Sequence, residues 1–236
     1  AISHIVRPYL LHSLHEIVII GLETEMASYV FMKVLESSAR RYDVGINILS
    51  LGQSEEVTRE IVKNYITVAD KVLEMGCGTG TLAILCAEKS TSVTGFDVSS
   101  GMLDIAREKI EESNLTDRIE LKHMGAVEMD KAFDDETFHK VVGTLFLSEL
   151  YSDEQKYALR EAYRVLKPGG LIIIADEIRP HSLARRVLQW LIRTPVMVIT
   201  YVLTQTSTKP LKDVESLLTD AGFGIIYQRK SRLDFF

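Results

Sequence analysis

One run constrains the fold of this chain more than any other: Val72-Leu73-Glu74-Met75-Gly76-Cys77-Gly78-Thr79-Gly80. A short apolar segment enters a loop with glycine at every second position, and helix-forming residues 82–89 follow. Glycine permits backbone angles that other residues avoid and lets a ligand approach the main chain. A helix that starts straight after such a loop presents unpaired N–H groups to negatively polarised ligand atoms. Strand, glycine loop and helix in that order predict a nucleotide-type ligand at one end of a parallel sheet.

The rest of the chain from residue 66 onward agrees with that prediction. Short apolar runs at 71–74, 92–96, 119–123, 139–145 and 171–175 alternate with helical stretches at 82–89, 102–113 and 154–166. A further helix is expected at 211–220, with Gly222 just past its end, and strands at 224–229 and from 233 onward. Alternation at this spacing predicts an α/β architecture, a mostly parallel sheet with helices on both faces. Residues 1–65 read instead as a helical N-terminal cap. Leu10, Leu14, Ile17 and Val18 recur at helical spacing, a second pattern runs through Ala27, Val30, Phe31, Val34 and Leu35, and 55–65 form a third helix. The main domain is therefore 66–236, with an insert at 178–209 after the fifth strand.

The loop also discriminates among ligands. Gly80 is followed by Thr81 and Leu82, so the Gly-Lys-Ser/Thr of a phosphate loop is missing. Thr81 stands where a dinucleotide loop carries its third glycine. Glu74 precedes the first glycine by two residues, which is unfavourable beside a pyrophosphate and suits a ligand with a cationic amine. Asp97 ends the second strand, 21 residues beyond Gly76, where a carboxylate can accept both ribose hydroxyl hydrogens.

Glu74, the loop and Asp97 together resemble motif I and the strand-two acid of class I S-adenosylmethionine (SAM)-dependent methyltransferases, a Rossmann-like family. Phe138 to Phe146 resembles the family's fourth-strand motif, and Val165-Leu166-Lys167-Pro168-Gly169-Gly170-Leu171 its turn into strand five. The resemblance implies SAM as cofactor. Gly76, Cys77, Gly78, Thr79 and Gly80 would hold its methionine moiety, Asp97 and Val98 its ribose side, and Met102 would lie against the adenine. Many members carry Asp-Ala after strand three; here the pair is Gly125-Ala126, so either backbone groups meet the adenine or Glu128 reaches in. Tyr42-Asp43 followed by Ile48-Leu49-Ser50-Leu51-Gly52 is similar to an N-terminal segment of quinone-biosynthesis C-methyltransferases, in which the tyrosine reaches the cofactor; an aromatic face beside a sulfonium is a favourable cation–π contact. Residues 146–150 and 190–206 resemble the corrinoid-protein-associated methyltransferases instead.

The resemblance implies methyl transfer by in-line displacement, which needs alignment and exclusion of water more than strong acid–base chemistry. The candidate bases are Glu149 after strand four, and Glu177 and His181 after strand five. The first-choice acceptor is an apolar, quinone-like or phenolic small molecule. The alternatives are a corrinoid-linked or protein acceptor and a non-catalytic SAM-binding partner protein. No metal site is expected, because His15-Glu16 lacks the second histidine of H-E-x-x-H.

Charge and cysteine content set the surroundings. The 236 residues hold 27 Lys+Arg against 33 Asp+Glu, a net charge of −6, which argues against nucleic acid as a partner. That total hides a division. Residues 178–212 contain no acid but carry Arg179, Arg185, Arg186, Arg193, Lys209 and Lys212, together with the only tryptophan, Trp190. The segment is a lid over the substrate, an interfacial element on an anionic membrane, or a homodimer or protein-partner surface. Two cysteines, no secretory signal pattern and no 18-residue apolar stretch predict a cytoplasmic protein, with membrane association through 178–212 as an option.

Overall fold

A computed structural model describes residues 16–22, 53–90, 92–177 and 214–230. In chain order the elements are β1 (Glu16–Leu22), α1 (Gln53–Tyr65), β2 (Lys71–Met75), α2 (Thr81–Lys89), β3 (Ser92–Asp97), α3 (Ser100–Glu112), β4 (Ile119–His123), the short α4 (Met129–Ala132), β5 (Phe138–Thr144), α5 (Ser152–Val165), β6 (Leu166–Glu177), α6 (Val214–Asp220) and β7 (Gly224–Lys230). Single 3-10 turns sit at Ala126–Glu128 and Leu147–Glu149.

The strands form one sheet in the order β4-β3-β2-β5-β6-β1-β7, and every neighbouring pair is parallel. Parallel strands need helical crossovers, so both faces become covered and the central strands are built around apolar runs. Val72, Leu73 and Met75 on β2 and Val141 and Val142 on β5 are fully buried accordingly. One face packs Val72, Val142 and Ile173 against Val57 and Ile61 of α1, Ala83 and Cys86 of α2 and Ile110 of α3. The other packs Leu73, Val141 and Ile174 against Leu159, Ala162 and Val165 of α5 and Leu218 of α6. This is the expected α/β sheet with helices on both faces.

Beyond β2 the strand order reverses direction. β3 and β4 lie to one side of β2, while β5 and β6 lie to the other. The loops after β2 and β5 therefore part, and the crevice between them at the carboxyl ends of the strands is where open α/β sheets bind ligands.

The helical reading of Ile17 and Val18 is corrected by the structure. Glu16-Ile17-Val18-Ile19-Ile20-Gly21-Leu22 is a strand between β6 and β7, with Val18 paired to Ile173 and Tyr227 and buried. Four β-branched residues in succession favour extended backbone, and a continuous apolar run suits a strand covered on both faces. A helical period and an unbroken apolar run share positions such as 14, 17 and 18, so spacing alone could not separate them. The helix expected at 55–65 is present as α1. Residues 1–15, the second helical pattern at 27–35, the insert 178–209 and the tail from 231 lie outside the described residues.

β6 starts earlier than expected, at Leu166 instead of Leu171. Leu166 pairs with Phe138, and Leu171 with Lys140. Lys167-Pro168-Gly169-Gly170 is thus a bulge inside the strand, with Gly169 at φ +74. The predicted end of α6 is observed: Gly222 (φ +97) donates its N–H to the Thr219 carbonyl and Phe223 its own to that of Leu218.

Candidate functional site

The loop after β2 adopts a backbone that only glycine holds without strain. Gly76, Gly78 and Gly80 have φ of +69, +50 and +74. Gly76 is also sterically reserved, since a Cβ there would lie 2.7 Å from Cδ2 of Phe146. Cys77 anchors the loop by donating its N–H to the Phe96 carbonyl on β3 at 2.9 Å. Its side chain fills the space that Gly95 leaves open, where an added Cβ would be 2.9 Å from Cys77 Cβ. Burial first, and then the negative charge of Glu74 and Asp97, pushes the Cys77 thiol far above its ordinary range, so it is a small packing residue and not a thiolate.

Asp97 ends β3 beside this loop. Its Oδ2 accepts the Gly78 N–H at 2.9 Å and its Oδ1 the Ser99 N–H at 2.8 Å. One carboxylate thus fixes both the glycine loop and the entry to α3, whose Ser99 cap accepts the Met102 N–H at 3.3 Å. The Met102 side chain is buried.

Glu74 is 3% exposed, within the sheet below the loop. The Ala83 N–H in the first turn of α2 donates to it. Its Oε2 is buried and has no hydrogen-bond partner among the described residues. Burial, reinforced by the neighbouring Asp97 charge, holds this carboxyl well above the ordinary carboxylate range, against a smaller opposing pull from Lys109. A buried acid with an orphan oxygen beneath an anion-favouring helix end is expensive unless something cationic completes it. Lys109 of α3 reaches the loop's other edge, donating to Thr81 Oγ1 at 2.6 Å and Thr79 Oγ1 at 3.3 Å.

The far wall carries exposed apolar groups. Val98 and Val127 are 71% and 55% exposed, and a Cβ on Gly125 would meet Val98 Cγ1 at 3.5 Å. Ala126 is buried beneath them. Glu128 turns back to accept the Gly125 N–H at 2.8 Å. It is therefore a local cap on its own turn.

Glu74, the residues from Gly76 to Gly80, Asp97, Val98, Gly125 and Ala126 are thus gathered at the carboxyl ends of β2, β3 and β4. Of the candidate bases, Glu149 is exposed in the turn after β5, with its N–H donated to the Phe146 carbonyl at 3.3 Å. Glu177 is the last residue of β6, opposite Leu22 in register. His181 and Tyr42 lie outside the described residues. Sequence reasoning missed Asp176, which is 1% exposed and accepts the backbone N–H groups of Leu147 and Ser148. The signal was present, because an acid closing an apolar strand is the same pattern that singled out Asp97. It missed Phe146 over Gly76 and Lys109 on the loop as well. Among the described residues, no three His, Cys, Asp or Glu side chains form a group that could hold a metal ion.

Comparison with known proteins bears on this geometry. A family model described as a methyltransferase domain matches residues 72–170. A protein named demethylmenaquinone methyltransferase from Symbiobacterium thermophilum is 31% identical over 221 residues, spanning 84% of this chain and 86% of the relative. A protein of the same name from Listeria welshimeri is 33% identical over 162 residues, 67% of this chain and 66% of the relative. Among solved structures, a SAM-dependent methyltransferase from Archaeoglobus fulgidus shares the fold with a TM-score of 0.52 at 21% identity, over 72% of this chain and 69% of that one.

Proposed function

The chain belongs to the class I SAM-dependent methyltransferases, and on that premise we propose that it methylates an apolar, quinone-like or phenolic small molecule. The observation that carries the site is the convergence of three left-handed glycines, the orphan oxygen of Glu74 and the Asp97 carboxylate at one switch point of the sheet. The acceptor class is supported by the two relatives named demethylmenaquinone methyltransferase.

The residues present suit SAM. The loop at 76–80 would hold the methionine part, with Glu74 facing its cationic amine. Asp97 would exchange its backbone donors for ribose hydroxyls, and Val98 with Val127 would flank the adenine beside Gly125 and Ala126. When bound, SAM supplies a methyl group on a cationic sulfur that leaves as a neutral thioether. The protein's part is alignment and dryness, and the Phe146 ring against Gly76 closes the loop from the β5 side. A ring-carbon acceptor must give up a proton after methylation. Glu149, Glu177 and His181 are the proposed takers, Glu149 in the turn after β5, Glu177 at the end of β6 and His181 four residues further along the chain. Tyr42 is proposed to reach the cofactor from the segment before α1, and residues 178–212 to close over the acceptor.

Two measurements test the proposal. Calorimetry should show SAM and its demethylated product binding, with NAD inert. Label from methyl-labelled SAM should pass to a demethylmenaquinone carrying a short prenyl chain. Transfer only to a protein fraction of a lysate would overturn the acceptor class while leaving the enzyme class in place.

A further inference from the structure

The segment between β5 and α5 is held more tightly than a connecting turn requires. Leu145 is a non-glycine residue at φ +53, a conformation that surrounding bonds must enforce. Its N–H donates to the Ala175 carbonyl at 2.8 Å. The next two bonds come from one side chain: Asp176 Oδ2 accepts the Leu147 N–H at 2.8 Å and the Ser148 N–H at 3.2 Å. Gln155 of α5 adds two more, donating to the Leu147 and Leu150 carbonyls at 2.8 and 3.1 Å. Phe146 sits in the middle of this frame. Its ring meets Phe96 edge-on with centroids 5.9 Å apart, and its Cδ2 occupies the space beside the Gly76 α-carbon.

We propose that Asp176 is a positioning residue, which fixes residues 145–148 so that Phe146 takes one place against the cofactor loop and thereby sets where the acceptor stands relative to the methyl group. The inference rests on the methyltransferase reading of the loop at Gly76. Asp176 itself touches Leu147 and Ser148, one and two residues past Phe146, so it acts through the backbone. Displacing an acceptor by about an ångström is enough to slow an aligned displacement by about a hundredfold. On this reading, affinity for SAM rests on the loop backbone and on Asp97, which are fixed by the Gly78 and Ser99 bonds and not by the frame around Phe146, and is left alone.

The test reads the Gly76 α-hydrogen that faces the Phe146 ring. In the intact protein it should show a strong ring-current shift by NMR, and Phe146→Leu should abolish that shift, which fixes the assignment. In Asp176→Ala the shift should collapse, and amide exchange should quicken at Leu147 and Ser148. SAM affinity should stay within about twofold while methyl transfer to the short-chain demethylmenaquinone falls by about tenfold or more. Asp176→Asn, which retains an oxygen where the carboxylate accepts, should recover most of the shift. An unmoved Gly76 shift in Asp176→Ala, or a loss of SAM affinity as large as the loss of transfer, would overturn the proposal. Should the alanine variant not fold, the asparagine variant decides by the same readings, an unchanged shift with impaired transfer counting against it. If the intact protein transfers nothing to the quinone, the acceptor reading fails, and the ring-current, exchange and SAM-affinity readings still decide the role of Asp176.

Discussion

Replacing Asp97 by Ala removes the acceptor of the Gly78 and Ser99 N–H groups and the proposed ribose contact together. SAM binding should weaken by about 1–3 kcal/mol, the scale for hydrogen bonds to a charged group, as read by calorimetry. Glu74→Gln should act in opposite directions on stability and binding. The folded-state pKa of Glu74 is raised, so the stability it contributes is full below its unfolded pKa and is lost as pH rises through the folded value. Thermal melts of the empty protein should therefore show Glu74→Gln gaining on the parent from mildly acid to alkaline pH, by about 2–4 °C for each kcal/mol of relieved burial. Calorimetry of the same variant should show weaker SAM binding, because a neutral amide attracts a cationic amine less. Gly76→Ala meets both a left-handed φ and the Phe146 ring, and should destabilise by on the order of 1–3 kcal/mol in urea melts. Adding Phe146→Ala should recover the steric part and leave the backbone part. The glycines, Glu74 and Asp97 were legible because their spacing along the chain is the signal. Asp176 carries the same signal, an acid at the end of an apolar run, but its partners are backbone groups 29 and 28 residues away, and no local pattern identifies them.

At the level of elements, β2 through β5 and the helices α2 and α3 could be read from alternating apolar runs, with ends shifted by a residue or two, whereas the single-turn α4 at Met129–Ala132 is too short to show a period and was not. β6 shows the limit of that reading. Proline and two glycines look like a boundary between elements, yet backbone pairing resumes on both sides of the bulge, from Leu166 to Glu177. β1 shows another limit, since its place in the sheet depends on partners at 171–177 and 224–230 that no window around residue 19 contains. Ile19 stands opposite Ile174 on one side and Gln228 on the other. Ile19→Pro should remove a ladder hydrogen bond from a strand paired on both sides and so lower the midpoint of urea unfolding. Spectroscopy should show the loss as one cooperative transition, because β1 bridges two strands of the same sheet.

For the whole molecule, the reversal of strand order beside β2 puts the cofactor loop, the Asp97 strand end and the Asp176 frame at one end of one sheet. Ligand and fold are accordingly coupled. SAM at about a hundred times its dissociation constant should raise stability by about 2.7 kcal/mol in a thermal-shift series, and NAD at the same concentration by nothing. The acid-free segment 178–212 and the acidic remainder were legible from residue counts, since charge needs no fold to be counted. The sheet order has a further consequence for how the chain is made. Glu16 pairs with Leu171, 155 positions later. On a ribosome adding about 5–20 residues per second, β1 therefore waits roughly 8–30 seconds before its first partner has been synthesised. Throughout that interval Ile17, Val18, Ile19 and Ile20 form a β-prone apolar run with no native strand to pair with. The nascent chain should depend on a holding chaperone there more than at β3 and β4, whose neighbours lie close by in the chain.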